Sequence, residues 1–560
     1  MIGIELSEAT IKNREPKEDN IYLINQFFIH HIAERQREIV QCIRKNVNNP
    51  YITKIYLLNE RIYTNKELGL KNLDKIVQVN IGKRLMYSDI FNFVNNEKLS
   101  GYIIFSNSDI FLNETLKNIY YSNLYFEKSA YCQLRYEYNE EHPKRSKLFG
   151  PRSDSQDTWM FHTNFKLSSQ LTKSFRFNFG KPGCDNKVIY IFKLLGYKVF
   201  NDPSFIKTFH IHKSDIRNYN FDKDLINKPH YYVFPPNQTS SHIDELLTPK
   251  DRTFKKGSIN YTRYDFNNEN NKLITYLKRK IENNEKFIIP RIAGIENDCA
   301  FIGQVIMSNN NNIPENLLKT INEKICPTMK RNAGIHISDM NTYLAYSRSY
   351  CQSFLNSELY LDWEPWGPVY QAIPQSHDFI VNKIPREKVW AYTMDIFHSI
   401  HTNPWTHTLR GKRLLIISPF VYSIKEKIEI REKIYGIDLF PECKFVLLQP
   451  PQTQGTNPSR PFNIELENMV KFIDSIKDQF DIALVSCGGY GNLVCNEIYN
   501  MGKSAIYVGG VLQMYFGIYG GRWLKERSDI LRIFMNEYWS RPKEEEKPQG
   551  SELIEKGCYW

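Results

Sequence analysis

Residues 101–112 read GYIIFSNSDIFL. The four apolar residues 102–105 have the pattern of a short strand buried on both faces. Residues 106–109 form a polar turn, and 110–112 an apolar stop. A buried strand that ends in an exposed carboxylate is how α/β proteins place an acid at the carboxyl edge of a sheet, where ligands bind. Ser, Asn and Asp are also ordinary turn formers, so Asp109 alone reads equally well as a turn residue. The flanking sequence decides between the two.

Upstream, residues 20–28 (NIYLINQFF) read as a first strand. Residues 32–46 carry Ile32, Ile39, Val40 and Ile43 near helical spacing. Residues 52–58 and 76–79 are further strands, and 87–96 has a helical pattern. Strand alternating with helix is the signature of a parallel sheet with crossover helices.

Downstream, residues 131–138 (YCQLRYEY) read as one strand with Arg135 and Glu137 on one face. Asp157 follows a polar loop within SQDTW. Asp185 stands in a Gly/Pro turn, FGKPGCDN, ahead of an apolar helix that it or Asn186 would cap. Residues 207–212 read KTFHIH, and on a strand His210 and His212 share a face. Each has a plain structural reading: Asp157 as a turn residue, Asp185 as a cap, each His as a core side chain. Taken with Asp109, the two histidines make an oxygen/nitrogen set that suits Mn²⁺ or Mg²⁺.

The chain has 560 residues, enough for two to four domains. Its net charge of +11 suits phosphorylated ligands, but no run of basic residues forms an arm or stripe, which argues against nucleic acid as a partner. The ten cysteines are scattered without metal-ligand spacing, so the expectation is a reducing, cytoplasmic setting. The first twenty residues are polar and do not read as a secretory signal, and no apolar run is long enough to span a membrane.

A polar, irregular stretch after residue 213 sets the expected organisation: a first domain over 1–245, a linker over 246–274 and a second domain over 275–560. In the second, residues 287–290 form a strand that delivers Glu296 within RIAGIE. Residues 414–418 and 445–448 are further strands. Residues 481–508 make a βαβ unit around the turn Cys487-Gly488-Gly489-Tyr490-Gly491 and end at Gly509-Gly510. A helix start of this kind is compatible with phosphate. Glycines at strand–helix turns also serve packing alone. The loop that follows keeps aromatics, glycines and Arg522 together.

Seven stretches in the first half come in an order that resembles a GT-A-class glycosyltransferase family found in large DNA viruses, bacteria and some plants. They are LLNE (57–60), RLMYSD (84–89), SNSDIF (106–111), LRYE (134–137), SQDTWMF (155–161), GKPGCDN (180–186) and KTFHIHKSDIRNY (207–219). The second half resembles a GT-D-type glycosyltransferase through RIAGIE (291–296), GKRLLIISPF (411–420), DIALVSCGGYG (481–491), residues 501–523 and the tail GCYW (557–560). The resemblance implies two Rossmann-like α/β domains with mainly parallel sheets, GT-A-like and then GT-D-like. It implies a nucleoside diphosphate sugar as donor, a divalent cation (Mn²⁺ or Mg²⁺), and a glycan or glycoprotein as acceptor. For a viral chain the setting would be the host cytoplasm or virus factory.

On this resemblance Asp109, with His210 and His212, holds the cation, and Arg84 faces the diphosphate. Asp157 or Asp185 takes the acceptor proton, with Asp157 preferred as following the acceptor-side loop. The family's DxD-like motif reads Ser-Asn-Ser-Asp here, so its first Asp is missing and only Asp109 is acidic. In the second domain the acid pair reads Gly294-Ile295-Glu296, which leaves Glu296 as the catalytic candidate. Gly488, Gly489, Gly491, Gly509, Gly510 and Arg522 would line its donor site. The expected function is a bifunctional glycosyltransferase. The alternatives are one active N-terminal transferase with a glycan-binding or assembly domain, and a basic nucleic-acid-binding protein.

Overall fold

The computed structural model describes residues 15–212, 220–227, 230–233, 235, 266–363, 367–377, 379, 386–526, 528–554 and 557–560. The chain divides into two compact units, Met1–Lys255 and Lys256–Trp560. Of the expected linker, residues 246–265 lie outside the described residues, as does the 213–219 end of the last matching stretch in the first half. Residues 266–274 are not linker. They open the helix Phe266–Glu282, whose Leu273, Ile274 and Leu277 are buried.

In the first unit, β1 (Ile21–Asn25), β2 (Lys54–Asn59), β3 (Ile76–Asn80) and β4 (Tyr102–Ser106) are parallel. The sheet continues through β6 (Ser129–Leu134), β9 (Gln156–His162) and β10 (Lys198–Phe200) in the order β10-β6-β9-β4-β1-β2-β3. β9 runs antiparallel to both neighbours. Helix α1 (Ala33–Val47) buries Ile39, Ile43 and Val47, on one face of a 3.6-residue repeat, against this sheet's core, and Cys42 against Phe111, Phe209 and Ile211. β1 and β4 bury nearly every side chain, as strands covered on both faces must.

Three expectations change here. The apolar stop after Asp109 is a strand, β5 (Ile110–Leu112), in a second sheet. The expected strand over 131–138 breaks at Arg135: β6 stays in the large sheet, and β7 (Tyr136–Glu137) joins the second one. The pairing of β6 with β9 slips between Gln133 and Leu134, and such a bulge re-aims the chain that follows. Residues 156–162, which follow the polar loop and to which the sequence assigns no element, form the strand β9. The second sheet is ordered β5-β11-β7-β8, with β8 at Lys147–Leu148 and β11 at Thr208–His210. The chain therefore crosses from one sheet to the other at residues 107–109.

In the second unit, β12 (Ile288–Ile289), β15 (Arg413–Ile417), β16 (Lys444–Leu448), β17 (Ile482–Val485) and β18 (Ser504–Tyr507) form an all-parallel sheet, ordered β12-β18-β17-β15-β16. A separate parallel pair, β13 (Leu359–Asp362) with β14 (Glu387–Trp390), was not legible in the sequence. A bridge between Arg291 and Leu361 sets it beside the end of β12. Helices α2 (Gly294–Ser308), α3 (Met340–Leu355), α4 (Phe462–Ser475) and α5 (Gly491–Asn500) contribute to the core on this sheet. The two units are both α/β with mainly parallel sheets, as the alternation of strand and helix requires.

Candidate functional site

Asp109 sits where the two sheets of the first unit meet. It is not exposed: 8% of its surface remains accessible. Its backbone carbonyl accepts from Ile211 N–H at 3.1 Å, and Ile110 pairs with His210 across β5 and β11. That register brings His210 to Asp109, with Nε2 3.1 Å from Oδ2. Parallel pairing of β11 with β7 puts Glu137 on the other side of the ring, with His210 Nδ1 3.0 Å from Glu137 Oε2. His212 lies beyond the strand, yet its ring stacks on His210 with centroids 5.0 Å apart.

Helix α1 supplies what sequence reading missed. Asn46 clamps β5 to the helix: its Nδ2 donates to the Ile110 carbonyl at 2.9 Å, and its Oδ1 accepts from Leu112 N–H at 3.0 Å. Three turns earlier on the same helix, Arg35 reaches the site. Its Nη2 donates to Asp109 Oδ2, and its Nη1 lies 2.6 Å from Glu38 Oε2 and 2.7 Å from His212 Nδ1. The i,i+3 spacing of Arg35 and Glu38 was the available signal. Nothing local tied that pair to a histidine 177 residues away.

Charges are balanced closely. Burial would raise the Asp109 carboxyl, but His210 and Arg35 outweigh it and hold it well below the usual carboxylate range. Burial disfavours the His210 cation, but Asp109 and then Glu137 reverse this and push the imidazole up to about 9. Its two ring nitrogens thus face a carboxylate on each side. Burial likewise works against Arg35, and Asp109 and Glu38 raise it.

Asp157 is the second residue of β9, not a turn residue. Its Oδ1 accepts from Asn107 Nδ2 at 2.7 Å, and its Oδ2 accepts from Arg135 Nη1. Arg135 also donates to Glu137 Oε1 at 2.9 Å and Ser155 Oγ at 3.0 Å. A continuous chain of charged contacts thus runs from Arg35 through Asp109, His210, Glu137 and Arg135 to Asp157.

Asp185 is the second residue of the helix Cys184–Leu194. The turn before it is fixed by aromatics: Phe179 stacks on Tyr87 at 3.8 Å, and Tyr87 Oη donates to Cys184 Sγ at 3.3 Å. Asp185 Oδ2 accepts from Gln156 N–H at 3.3 Å, next to Asp157 in the chain. Its carboxyl is half-buried, and desolvation, with the nearby Asp157 charge, pushes it up to about 7. Arg84 is exposed, and its Nη2 donates to the Phe179 carbonyl at 2.7 Å, beside Gly180 rather than at Asp109.

The residues fit a divalent cation. Ligand atoms of Asp109, His210 and His212 lie within 4.8 Å of one another, an oxygen/nitrogen set. Asp109 Oδ1 is buried without a hydrogen-bond partner, the kind of orphaned acceptor that an ion satisfies.

In the second unit, Glu296 is the third residue of α2 and is buried. Burial first, and the Glu296 charge with it, keeps the phenols of Tyr346 and Tyr507 protonated. These donate to the Gly489 carbonyl at 2.9 Å and the Gly488 carbonyl at 2.8 Å. The glycine-rich turn is filled from within the protein. A Cβ on Gly489 would lie 2.4 Å from Ile335, and one on Gly491 would lie 2.3 Å from the Tyr507 ring. Gly488 has a left-handed φ of +55° beside the Ala333 carbonyl. Gly509 admits Arg291, whose Nη1 donates to the Val508 carbonyl at 2.8 Å, and Gly510 admits the Tyr559 ring. Arg522 lies over that ring at 4.9 Å and reaches the Tyr559 hydroxyl at 3.3 Å. Close packing accounts for these glycines, and no phosphate cradle is needed to explain them.

No known protein family and no curated protein sequence matches the chain. Among solved structures, it is similar to a glycosyltransferase (DUF1792) from Streptococcus sanguinis, at 11% identity and a TM-score of 0.25, over 47% of this chain and 84% of that one. It is similar to the mannosyltransferase PcManGT from Pyrobaculum calidifontis, solved in complex with GDP-Man and Mn²⁺, at 10% identity and a TM-score of 0.25, over 37% of this chain and 59% of that one. It is also similar to the apo-form glycosyltransferase GlyE of Streptococcus pneumoniae, at 9% identity and a TM-score of 0.20, over 87% and 90% of the two chains. None of these likenesses is close enough to assign a reaction. Among the described residues, no helix is long and apolar enough to cross a membrane.

Proposed function

We propose that the chain is a glycosyltransferase that moves sugars from nucleoside diphosphate sugars to a glycan or glycoprotein acceptor, and that the first unit carries a transfer site. The observation that supports this best is the pairing of two carboxylates in opposite states at one end of the large sheet. Asp109 is held ionised among cations, and Asp185 is poised near neutrality. Pairs of acids whose environments push them apart are the usual means of dividing roles in a site.

Asp109, His210 and His212 would hold a divalent cation, which when bound would neutralise the leaving diphosphate. Asp185 takes the proton of an acceptor hydroxyl. The freed oxygen forms its bond to the anomeric carbon as the bond from that carbon to the diphosphate breaks, and the electron pair leaves with the diphosphate. Asp157 has both oxygens engaged and serves better to hold Asn107 and Arg135 in place. The second unit is read as a second sugar-transferring module that uses Glu296. Its glycine-rich turn would shape the cleft through the tyrosines and not by cradling phosphate.

The test is donor hydrolysis or transfer across a panel of nucleoside diphosphate sugars with Mn²⁺. Asp109→Asn should lower the rate by on the order of 10²-fold or more while the circular dichroism spectrum is unchanged. Full activity in that variant would sink the assignment.

A further inference from the structure

The guanidinium of Arg35 contacts two of the three side chains that would hold a divalent ion. It contacts Asp109 Oδ2, His212 Nδ1 at 2.7 Å and Glu38 Oε2 at 2.6 Å. The first two belong to the candidate ligand set itself. A nitrogen that accepts from Arg35 offers its lone pair, which is the state a metal ligand needs. Glu38 is 3% exposed and Asp109 8%, so both carboxylates are largely withdrawn from bulk solvent. A buried carboxylate without a counter-charge is costly, so the site needs a resident cation when no ion is bound.

We propose that Arg35 is that resident cation, and that Arg35 and a divalent ion exclude one another at Asp109. The inference rests on the functional reading above only in assuming that a divalent ion binds. Asp109 Oδ1 is open to an ion, but Arg35 engages Oδ2 and the His212 lone pair, so an ion that takes His212 as a ligand meets the guanidinium there. Ion entry therefore requires Arg35 to withdraw. Its side chain starts from the first turn of α1, so withdrawal needs side-chain rotation and no refolding. Arg35 would make the site selective. A weakly bound ion cannot displace a forked guanidinium, and the apparent affinity for any ion is reduced by the fraction of molecules with Arg35 withdrawn. Glu38 stays behind as a second acceptor, 3.9 Å from His212 Nδ1, and keeps the vacated space negative.

The experiment is Mn²⁺ binding to the full chain, read from the electron paramagnetic resonance signal of the free ion. Wild type is compared with Arg35→Met and Arg35→Lys, and Asp109→Asn is the control. Arg35→Met is expected to bind Mn²⁺ at least about tenfold more tightly than wild type, because the competitor is gone. Arg35→Lys should fall between, since a single ammonium reaches Asp109 but cannot fork to His212. Equal affinity in all three overturns the inference and leaves the ion-binding site standing. No Mn²⁺ binding in any of them overturns the ion in the functional reading, and the inference with it. Should Arg35→Met not fold, a crystal structure of the wild type soaked in Mn²⁺ decides the matter. Anomalous density at Asp109 with Arg35 turned away supports exclusion, and density there with Arg35 still on Asp109 overturns it.

Discussion

Asn107 holds Asp157 by two contacts: its side-chain Nδ2 donates to Asp157 Oδ1 at 2.7 Å, and its backbone N–H donates to the Asp157 carbonyl at 3.1 Å. The fold uses the amide's N–H₂ to hold the Asp157 carboxylate. Asn107→Asp would place two carboxylates against each other. The variant should lose about 1–3 kcal/mol of stability at pH 7. The loss should shrink below about pH 4, where one of the pair is protonated. Urea denaturation at the two pH values measures both effects.

Asp185 should set the acid limb of the transfer rate. Its carboxyl titrates near 7, so activity should rise through that pH, and Asp185→Asn should be nearly inactive and show no such limb. Stability moves the opposite way. A carboxyl raised in the folded state adds stability that is fully present below its unfolded value and is lost as pH rises through 7. Asp185→Asn should therefore flatten the fall of Tm between pH 5 and 8, measured by scanning calorimetry.

Gly491 is packed against Tyr507, with no room for a methyl group. Gly491→Ala should cost about 1–3 kcal/mol by overpacking. Because Tyr507 also holds the Gly488 carbonyl, the damage should spread along the turn. Chemical denaturation reads the first effect, and hydrogen exchange at residues 488–491 the second.

Glu296→Gln and Asp109→Asn separate the two units. Assayed against one donor panel, each should abolish a different activity if both units transfer sugar. An unchanged Glu296→Gln profile would instead assign the second unit to glycan binding or assembly.

Much of the frame was legible. Residues 102–105 and 482–485 are strands because short apolar runs between turn formers have few other options. Asp109, His210 and His212 were also legible as a group from their ligand chemistry, although His212 lies beyond β11 and strand periodicity does not place it. What escaped was set by distant contacts. Arg35 lies on an ordinary amphipathic helix, and only the Asn46 clamp and the register of β5 with β11 make it part of the site. Asp157 does not read as a strand residue because β9 follows a polar stretch and pairs antiparallel with both of its neighbours. The break at Arg135 comes from a bulge, and a bulge has no composition of its own. The glycines at 488–491 and 509–510 read equally well as ligand-binding or as packing, and only the space around each could tell these apart.

The strand that delivers Glu296 has a further consequence, for the order of assembly during synthesis. β12 is the first strand of its sheet in the chain, and its partner in that sheet is β18, with Ile288 and Ile289 opposite Ala505 and Ile506. About 200 residues must leave the ribosome before that pairing can form, and such long-range closure is slow. The emerging chain carries a short apolar edge that waits for nearly the whole unit, whereas β1 of the first unit meets β2 within about 30 residues. A ribosome stalled before residue 504 would hold a first unit able to close its own sheet and a second that cannot yet seat Glu296.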